Sequence, residues 1–263
     1  MTVAVYNLDG SKRGSIAVAR LASVNVREDL IRRAVVSESS KTRQRYGADT
    51  LAGKRSSAHY HGRRSVHFSM MNREMARMQR IHNQGALEFV ARFVPQAKKG
   101  RTAHPPKVEK NFSKDMNQKE HMIALLSAIA AGTRNGLVEA RGHKIGKMEL
   151  PLVIADELES LKKAKDVSAF LKKMGLEDEL VRVRQKKVRA GKGTARGRRY
   201  VRKKGPLIIV KEDRGIIKAA RNIAGVDVAT LNALNVSMVA PGGRPGRLLI
   251  FTESALKDVD KYG

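Results

Sequence analysis

The chain has 263 residues, no cysteine and no tryptophan, and carries 53 Lys and Arg against 25 Asp and Glu, a formal net charge of +28. That balance points to a polyanionic partner, RNA or DNA first, because a compact body at this charge repels itself unless phosphates neutralise it. Without cysteine there is no disulfide framework, thiolate metal site or cysteine nucleophile.

Thr2 to Tyr6 alternates like a strand, Asp9 and Gly10 signal a turn, and Ser15 to Val18 reads as a returning strand. These first residues lack a basic region followed by a long apolar stretch, and nowhere do eighteen apolar residues run together. A soluble, cytoplasmic protein with no membrane partner is expected. Asn25 with Glu28 makes a capping-box pattern ahead of Leu30, Ile31, Ala34 and Val35, predicting a helix over 26–40. Asn117 and Glu120 repeat the pattern before Ile123, Leu126, Ile129 and Ala130, with Gly132 as the stop.

Beyond Gly132, short apolar runs alternate with amphipathic stretches. Leu152 to Ala155 precedes a helix through Phe170, Leu171 and Met174, and Leu207 to Val210 precedes one through Ile216, Ile217 and Ala220. Val226 to Val228 leads into a short helical piece, and Leu248 to Phe251 into Ser254 to Val259. Strands apolar on both faces and joined by helices imply a three-layer α/β domain with a mainly parallel sheet.

Two basic stretches break this body. Residues 46–110 hold thirteen Lys or Arg against four acidic groups and lie between the two capped helices, so they form a long extended loop inserted in the fold. Residues 1–45 and 111–263 then make up the globular domain. Within it, residues 182–204 hold twelve Lys or Arg and no acid, with Gly191, Gly193 and Gly197 keeping the run flexible. Aromatic residues at 4% argue against ring stacking on splayed bases as the main device, so phosphate contact and shape recognition fit better.

Catalytic readings are weak. Gly47 to Arg55 resembles a phosphate-binding loop, but five residues separate Gly47 from Gly53 and Arg55 stands where a Ser or Thr hydroxyl is needed. Gly191 to Gly197 misses the dinucleotide fingerprint by one residue. Asp156, Asp213, Asp227 and Glu253 follow apolar runs, where sheet active sites gather, yet acids there also cap the next helix. His59, His61 and His67 lie close together without a Cys or carboxylate cluster to complete a metal site. On an ideal helix over 69–82, Met71, Met75 and Met78 would line one face and Arg73, Arg77 and Arg80 the other; the competing reading is an irregular loop in which that spacing is accidental.

Several segments together resemble large-subunit ribosomal protein four, in its archaeal and eukaryotic branch. They are Tyr46 to Asp49 with Ala52 to Ser57, Gly100 to Lys107, Arg189 to Gly193 with Arg196 to Tyr200, and Ala240 to Arg247. The resemblance spans nearly the whole chain. It implies a non-enzymatic constituent of the large ribosomal subunit, with no cofactor, metal or small-molecule substrate. Its partners would be large-subunit ribosomal RNA and neighbouring ribosomal proteins, and its extended loop would reach the wall of the peptide exit tunnel. Carried over by position, Lys54, Arg55, Arg63 and Arg64 would contact RNA in the loop, and the segment from Arg189 through Lys192, Arg196, Arg198 and Arg199 would bind it from the body. The same charge places Arg73, Arg77, Arg80, Lys98, Lys99, Arg101, Lys107 and Arg202 among the candidate RNA contacts. The Met-rich residues 69–80 depart from the basic, glycine-rich stretch expected there. Two other classes remain: a magnesium-dependent RNA-processing enzyme using the strand-end acids, and a DNA-compacting protein.

Overall fold

The computed structural model describes residues 2–82, 85–146 and 148–261. They divide into two compact units, residues 1–42 with 113–263, and residues 43–112.

The first unit starts with β1 (Thr2–Tyr6) and β2 (Lys12–Ala17), followed by α1 (Arg20–Ser23) and α2 (Glu28–Lys41). It resumes with α3 (Gln118–Gly132), α4 (Asn135–Ala140), β3 (Leu152–Ile154), α5 (Ala164–Lys173) and α6 (Glu177–Arg184). Next come β4 (Lys186–Val188), β5 (Tyr200–Arg202), β6 (Leu207–Val210), α7 (Ile216–Ala220), β7 (Asp227–Thr230), α8 (Val236–Val239), β8 (Leu249–Thr252) and α9 (Glu253–Lys261). Six strands form one sheet in the order β2-β1-β3-β8-β6-β7, parallel throughout except for the β1–β2 hairpin. The mainly parallel α/β sheet expected from the sequence is present.

Alternation along the central strands makes the three layers. Val153, Leu207, Ile209, Leu249 and Phe251 face one cluster with the apolar sides of α1, α2, α3, α8 and α9. Leu152, Ile154, Ile208, Val210, Leu248 and Ile250 face the other, against Val138, Phe170, Leu171 and Ile216 from α4, α5 and α7. Each such fully buried side chain contributes roughly 1.5–3 kcal/mol before entropy is counted. Because both faces are covered, these strands read as unbroken apolar runs.

Both helix starts differ in detail from expectation. Arg27, not Asn25, occupies the N-cap of α2, and no side chain caps it. The Asn25 carbonyl instead accepts a bond from Ser127 Oγ of α3 at 3.1 Å, so tertiary packing overrides the local capping pattern. Asn117 does sit at the N-cap of α3, again without a side-chain bond. The buried face of α3 holds the expected Ile129 and Ala130 together with the small residues Ala124, Ala128, Ala131 and Gly132, while Ile123 is left 49% exposed. A methyl group on Gly132 would fall 2.5 Å from Leu249 Cδ1, so only small residues let this helix approach β8. No helix among the described residues is long and apolar enough to cross a membrane.

Candidate nucleic-acid interface

The second unit begins as a closed stem. Tyr46 and Phe112 stack with ring centroids 5.6 Å apart, Arg43 covers the Phe112 ring at 4.5 Å, and Ala48 N–H donates to Pro106 O at 2.9 Å. At Gly53, with φ +72°, a Cβ would meet Gly100 O at 2.5 Å, so this position closes the stem only as glycine. Beyond it the chain does not stay an extended loop but folds into a small lobe, within the compact unit of residues 43–112. His59 and Arg80 exchange backbone bonds, Arg80 also bridges Ala91, and Arg92 N–H donates to Gln79 O at 3.1 Å.

Residues 69–82 do not form a helix, and the methionine and arginine faces do not exist. Phe68, Asn72 and Glu74 have φ of 63°, 56° and 49°, a left-handed conformation that no right-handed helix accommodates. Ring packing takes the place of helical packing: His82 lies 4.7 Å from His61 and 5.1 Å from Phe68 in near-parallel stacks, and Arg73 covers Phe89 at 4.0 Å. His82 is held below the usual histidine value by burial and by neighbouring His61, His59 and His67. Among the described residues, no three His, Cys, Asp or Glu side chains gather to hold a metal ion.

Residues 182–204 are more ordered than their charge suggests. β4 and β5 pair antiparallel, Lys186 opposite Arg202 and Val188 opposite Tyr200. Arg189 N–H donates to Arg199 O at 2.7 Å and Arg198 N–H to Gly193 O at 3.0 Å, closing the loop between them. Lys186 covers the Tyr200 ring at 4.4 Å.

The nominated cations fall into two groups. Lys54, Arg63, Arg64, Arg73, Arg77, Lys98, Lys99, Lys107, Lys192, Arg196, Arg198, Arg199 and Arg202 are exposed. Others are held by the protein: Arg55 is ion-paired with Asp49, and Arg189 Nε donates to Arg198 O at 3.0 Å. Arg80 is half-buried, donating to Phe89 O at 2.7 Å and Ala76 O at 2.9 Å. It is a structural brace of the lobe. Arg101 is half-buried as well.

A third basic surface escaped sequence reading. A groove of about 770 Å³ on the first unit brings together Arg32, Arg141, Arg182, Lys203, Lys204 and Arg244, with Glu28 the acidic group beside them. Arg141 donates to Pro241 O at 2.8 Å and also to Arg244 O, pinning the glycine-rich turn. Arg182 is fixed on Glu179 by bonds of 2.7 and 2.6 Å and Arg32 pairs with Glu28 at 3.4 Å, leaving exposed Lys203 and Arg244 as cations for an anion. Four distant segments build this groove, so no local motif marks it.

The acids at the carboxyl edge of the sheet all have structural partners. Asp156 accepts from Ser254 N–H at 2.9 Å at the start of α9, and Asp213 accepts from Gly215 and Ile217 N–H at 2.9 and 3.3 Å at the start of α7. Glu253 pairs with Lys257 at 2.7 Å. Asp227 does not follow its strand as the sequence suggests: it opens β7, opposite Leu207 at the amino edge of the sheet, where it binds Lys204 at 2.9 Å and Arg247 at 2.6 Å; burial pushes it upward, but those two cations hold its carboxyl below the ordinary range. Buried Glu159 accepts from Lys211 N–H at 2.9 Å, just past β6, and from Thr252 Oγ1 at 3.1 Å, at the end of β8.

Known proteins match this chain along nearly its whole sequence. The profile of the Ribosomal protein L4/L1 family fits residues 16–262. The chain is 44% identical over 261 residues to large ribosomal subunit protein uL4 of Nanoarchaeum equitans, spanning 98% of this chain and 97% of that one. It is 44% identical over 262 residues to its namesake in Methanococcus maripaludis, 99% of each chain. Against the Halobacterium salinarum protein it is 41% identical over 261 residues, 98% of this chain and 99% of that one. Matched by the family profile over residues 16–262 and by archaeal relatives over nearly its whole length, the chain belongs to the ribosomal protein L4/L1 family, in its archaeal branch.

Proposed function

We propose that this protein is a structural constituent of the large ribosomal subunit. It binds large-subunit ribosomal RNA, stabilises its tertiary fold during assembly, and contributes residues 46–110 to the wall of the peptide exit tunnel as an RNA-penetrating loop. The observation that carries this reading is the match over residues 16–262 with a ribosomal protein family. Exposed Lys54, Arg63, Arg64, Lys98, Lys99 and Lys107 on the loop, and Lys192, Arg196, Arg198, Arg199 and Arg202 on the β4–β5 hairpin, meet phosphates where RNA strands converge. Its place is then the cytoplasmic ribosome, beside neighbouring ribosomal proteins. Contact with phosphates positions the protein and neutralises repulsion without reading base sequence.

No observation favours the RNA-processing enzyme. Its four candidate acids are held by helix starts and cations, and need no substrate to explain them. The test is turnover of structured RNA with and without magnesium, comparing Asp156→Asn and Asp213→Asn. No cleavage in any sample is expected; metal-dependent cleavage abolished by either change overturns the assignment. In a parallel competition at matched salt, folded large-subunit RNA should displace duplex DNA, and equal competition would favour a DNA-compacting protein.

A further inference from the structure

We infer that the lobe of the inserted unit contains a pocket for a single unpaired RNA nucleotide, a reading that rests on the RNA-binding function proposed above. A groove of about 380 Å³ there is lined by the rings of Tyr60 and Phe93, the cations Arg77 and Arg101, and the amides of Gln79 and Gln96. Ligand pockets begin at about 300 Å³, so one nucleotide suits this space and a duplex does not.

Residues far apart in sequence converge here because the lobe folds back on itself. The His59 to Arg80 bridge sets Tyr60 beside Gln79, and the bond from Arg92 N–H to Gln79 O brings Phe93 to the same place. A side chain on Gly100 would collide with Val94 O, so glycine lets the wall formed by Val94 close against Arg101.

Two features mark the groove as more than a surface dent. Phe93 has φ +69°, a left-handed conformation that costs a bulky residue about 1–3 kcal/mol and concentrates at ligand clamps. Gln79 Oε1 is buried with no hydrogen-bond partner, an uncommon state for a polar atom, and a turn of this amide into the groove would let it bond a base edge.

The chemistry of these groups selects the ligand. Tyr60 is 43% exposed, offering a ring for a base to stack on. Arg77 and Arg101 suit the phosphates on either side of that base, and the two amides can donate to or accept from its polar edge. A base paired within a helix hides its faces, so the nucleotide must be unpaired. The low aromatic content of the chain excludes an extended stacking platform but not one such position.

The test compares the full-length protein binding a short oligoadenylate and an abasic ribose-phosphate backbone of the same length and charge. Oligoadenylate should bind roughly five- to a hundredfold tighter. Tyr60→Leu should abolish that preference, Tyr60→Phe should keep it, and Arg77→Gln should weaken both probes alike. In the unaltered protein, a 2-aminopurine in the oligonucleotide should lose fluorescence on binding as its base stacks. Equal affinity for the two probes, a preference that survives Tyr60→Leu, or an unquenched 2-aminopurine overturns the pocket while leaving phosphate binding intact. If neither probe binds, the RNA reading fails and the pocket with it.

Discussion

Arg247, 1% exposed, donates through its guanidinium to Asp227 Oδ2 at 2.6 Å, and the same oxygen receives Lys204 Nζ at 2.9 Å. The remaining Arg247 donors reach Gly205 O at 2.8 Å and Met238 O at 2.7 Å, so one buried cation ties β7, α8 and the end of the basic segment together. Burial pushes this guanidinium below its usual pKa, and Asp227 offsets the penalty.

Arg247→Met should leave Asp227 paired with Lys204 but strip the Gly205 and Met238 carbonyls of their donor, at about 1–3 kcal/mol for each. Asp227→Asn should cost a similar amount for a different reason: it leaves the buried Arg247 guanidinium without its counter-charge, a loss of roughly 3–5 kcal/mol. Urea unfolding of the two variants measures both losses. A loss below about 1 kcal/mol for Asp227→Asn would show that the pair is dispensable.

Glu179 supplies an acid-sensitive joint on the same unit. Burial pushes its pKa up, but bonds from Arg182 at 2.6 and 2.7 Å, from His143 Nδ1 at 2.7 Å and from Lys144 N–H at 3.0 Å outweigh that and hold it at about 2, below the ordinary 4.5. A depressed carboxylate stabilises the fold fully above its unfolded value, and that contribution disappears as pH falls from about 4.5 toward about 2. Melting temperature should drop through this window, and Glu179→Gln should flatten the drop while lowering the neutral-pH value. An unchanged slope in the variant would assign the acid transition to other groups.

In the inserted unit the sign runs with histidine. His82 is held below its usual 6.5, so the folded lobe resists protonation more than the unfolded chain does. Its stability is complete above about pH 6.5 and falls as pH drops below that value. Limited proteolysis of the full chain from about pH 8 to about pH 5 should show faster cleavage within residues 43–112 at the acidic end. His82→Phe should remove the effect; equal acid sensitivity in that variant would rule out His82 as its origin.

Exposed and braced arginines should behave differently toward RNA. Each of Arg63→Gln and Arg64→Gln should lower the slope of log affinity against log salt by about 0.7–0.9 for a phosphate contact. Arg80→Gln should instead loosen the lobe, because Arg80 holds the Phe89 and Ala76 carbonyls. If Arg80→Gln changed only the salt slope, its structural assignment would be mistaken.

The body was legible where one constraint dominated. Leu152 to Ile154, Leu207 to Val210 and Leu249 to Thr252 are buried on both faces, and such strands must be continuous apolar runs. The β4–β5 hairpin was not legible, since its residues are all exposed, half of them are cationic, and only backbone pairing defines it. At residues 69–82 helical spacing was accidental: left-handed turns and stacked rings decided the path. Cations could be named from charge, but sequence could not separate exposed Arg64 from braced Arg80. Nor could it assemble Arg32, Lys203 and Arg244, which come from three different parts of the chain.

Incorporation into the large subunit tests the central claim most directly. Subunits assembled from ribosomal RNA and proteins, with this chain labelled, are separated by sedimentation under assembly-competent conditions. The labelled chain should travel with the large subunit, and its residues 43–112 should be protected there from a protease that cuts them in the free protein. A chain that remains entirely with the free small proteins would contradict the assignment to the ribosome.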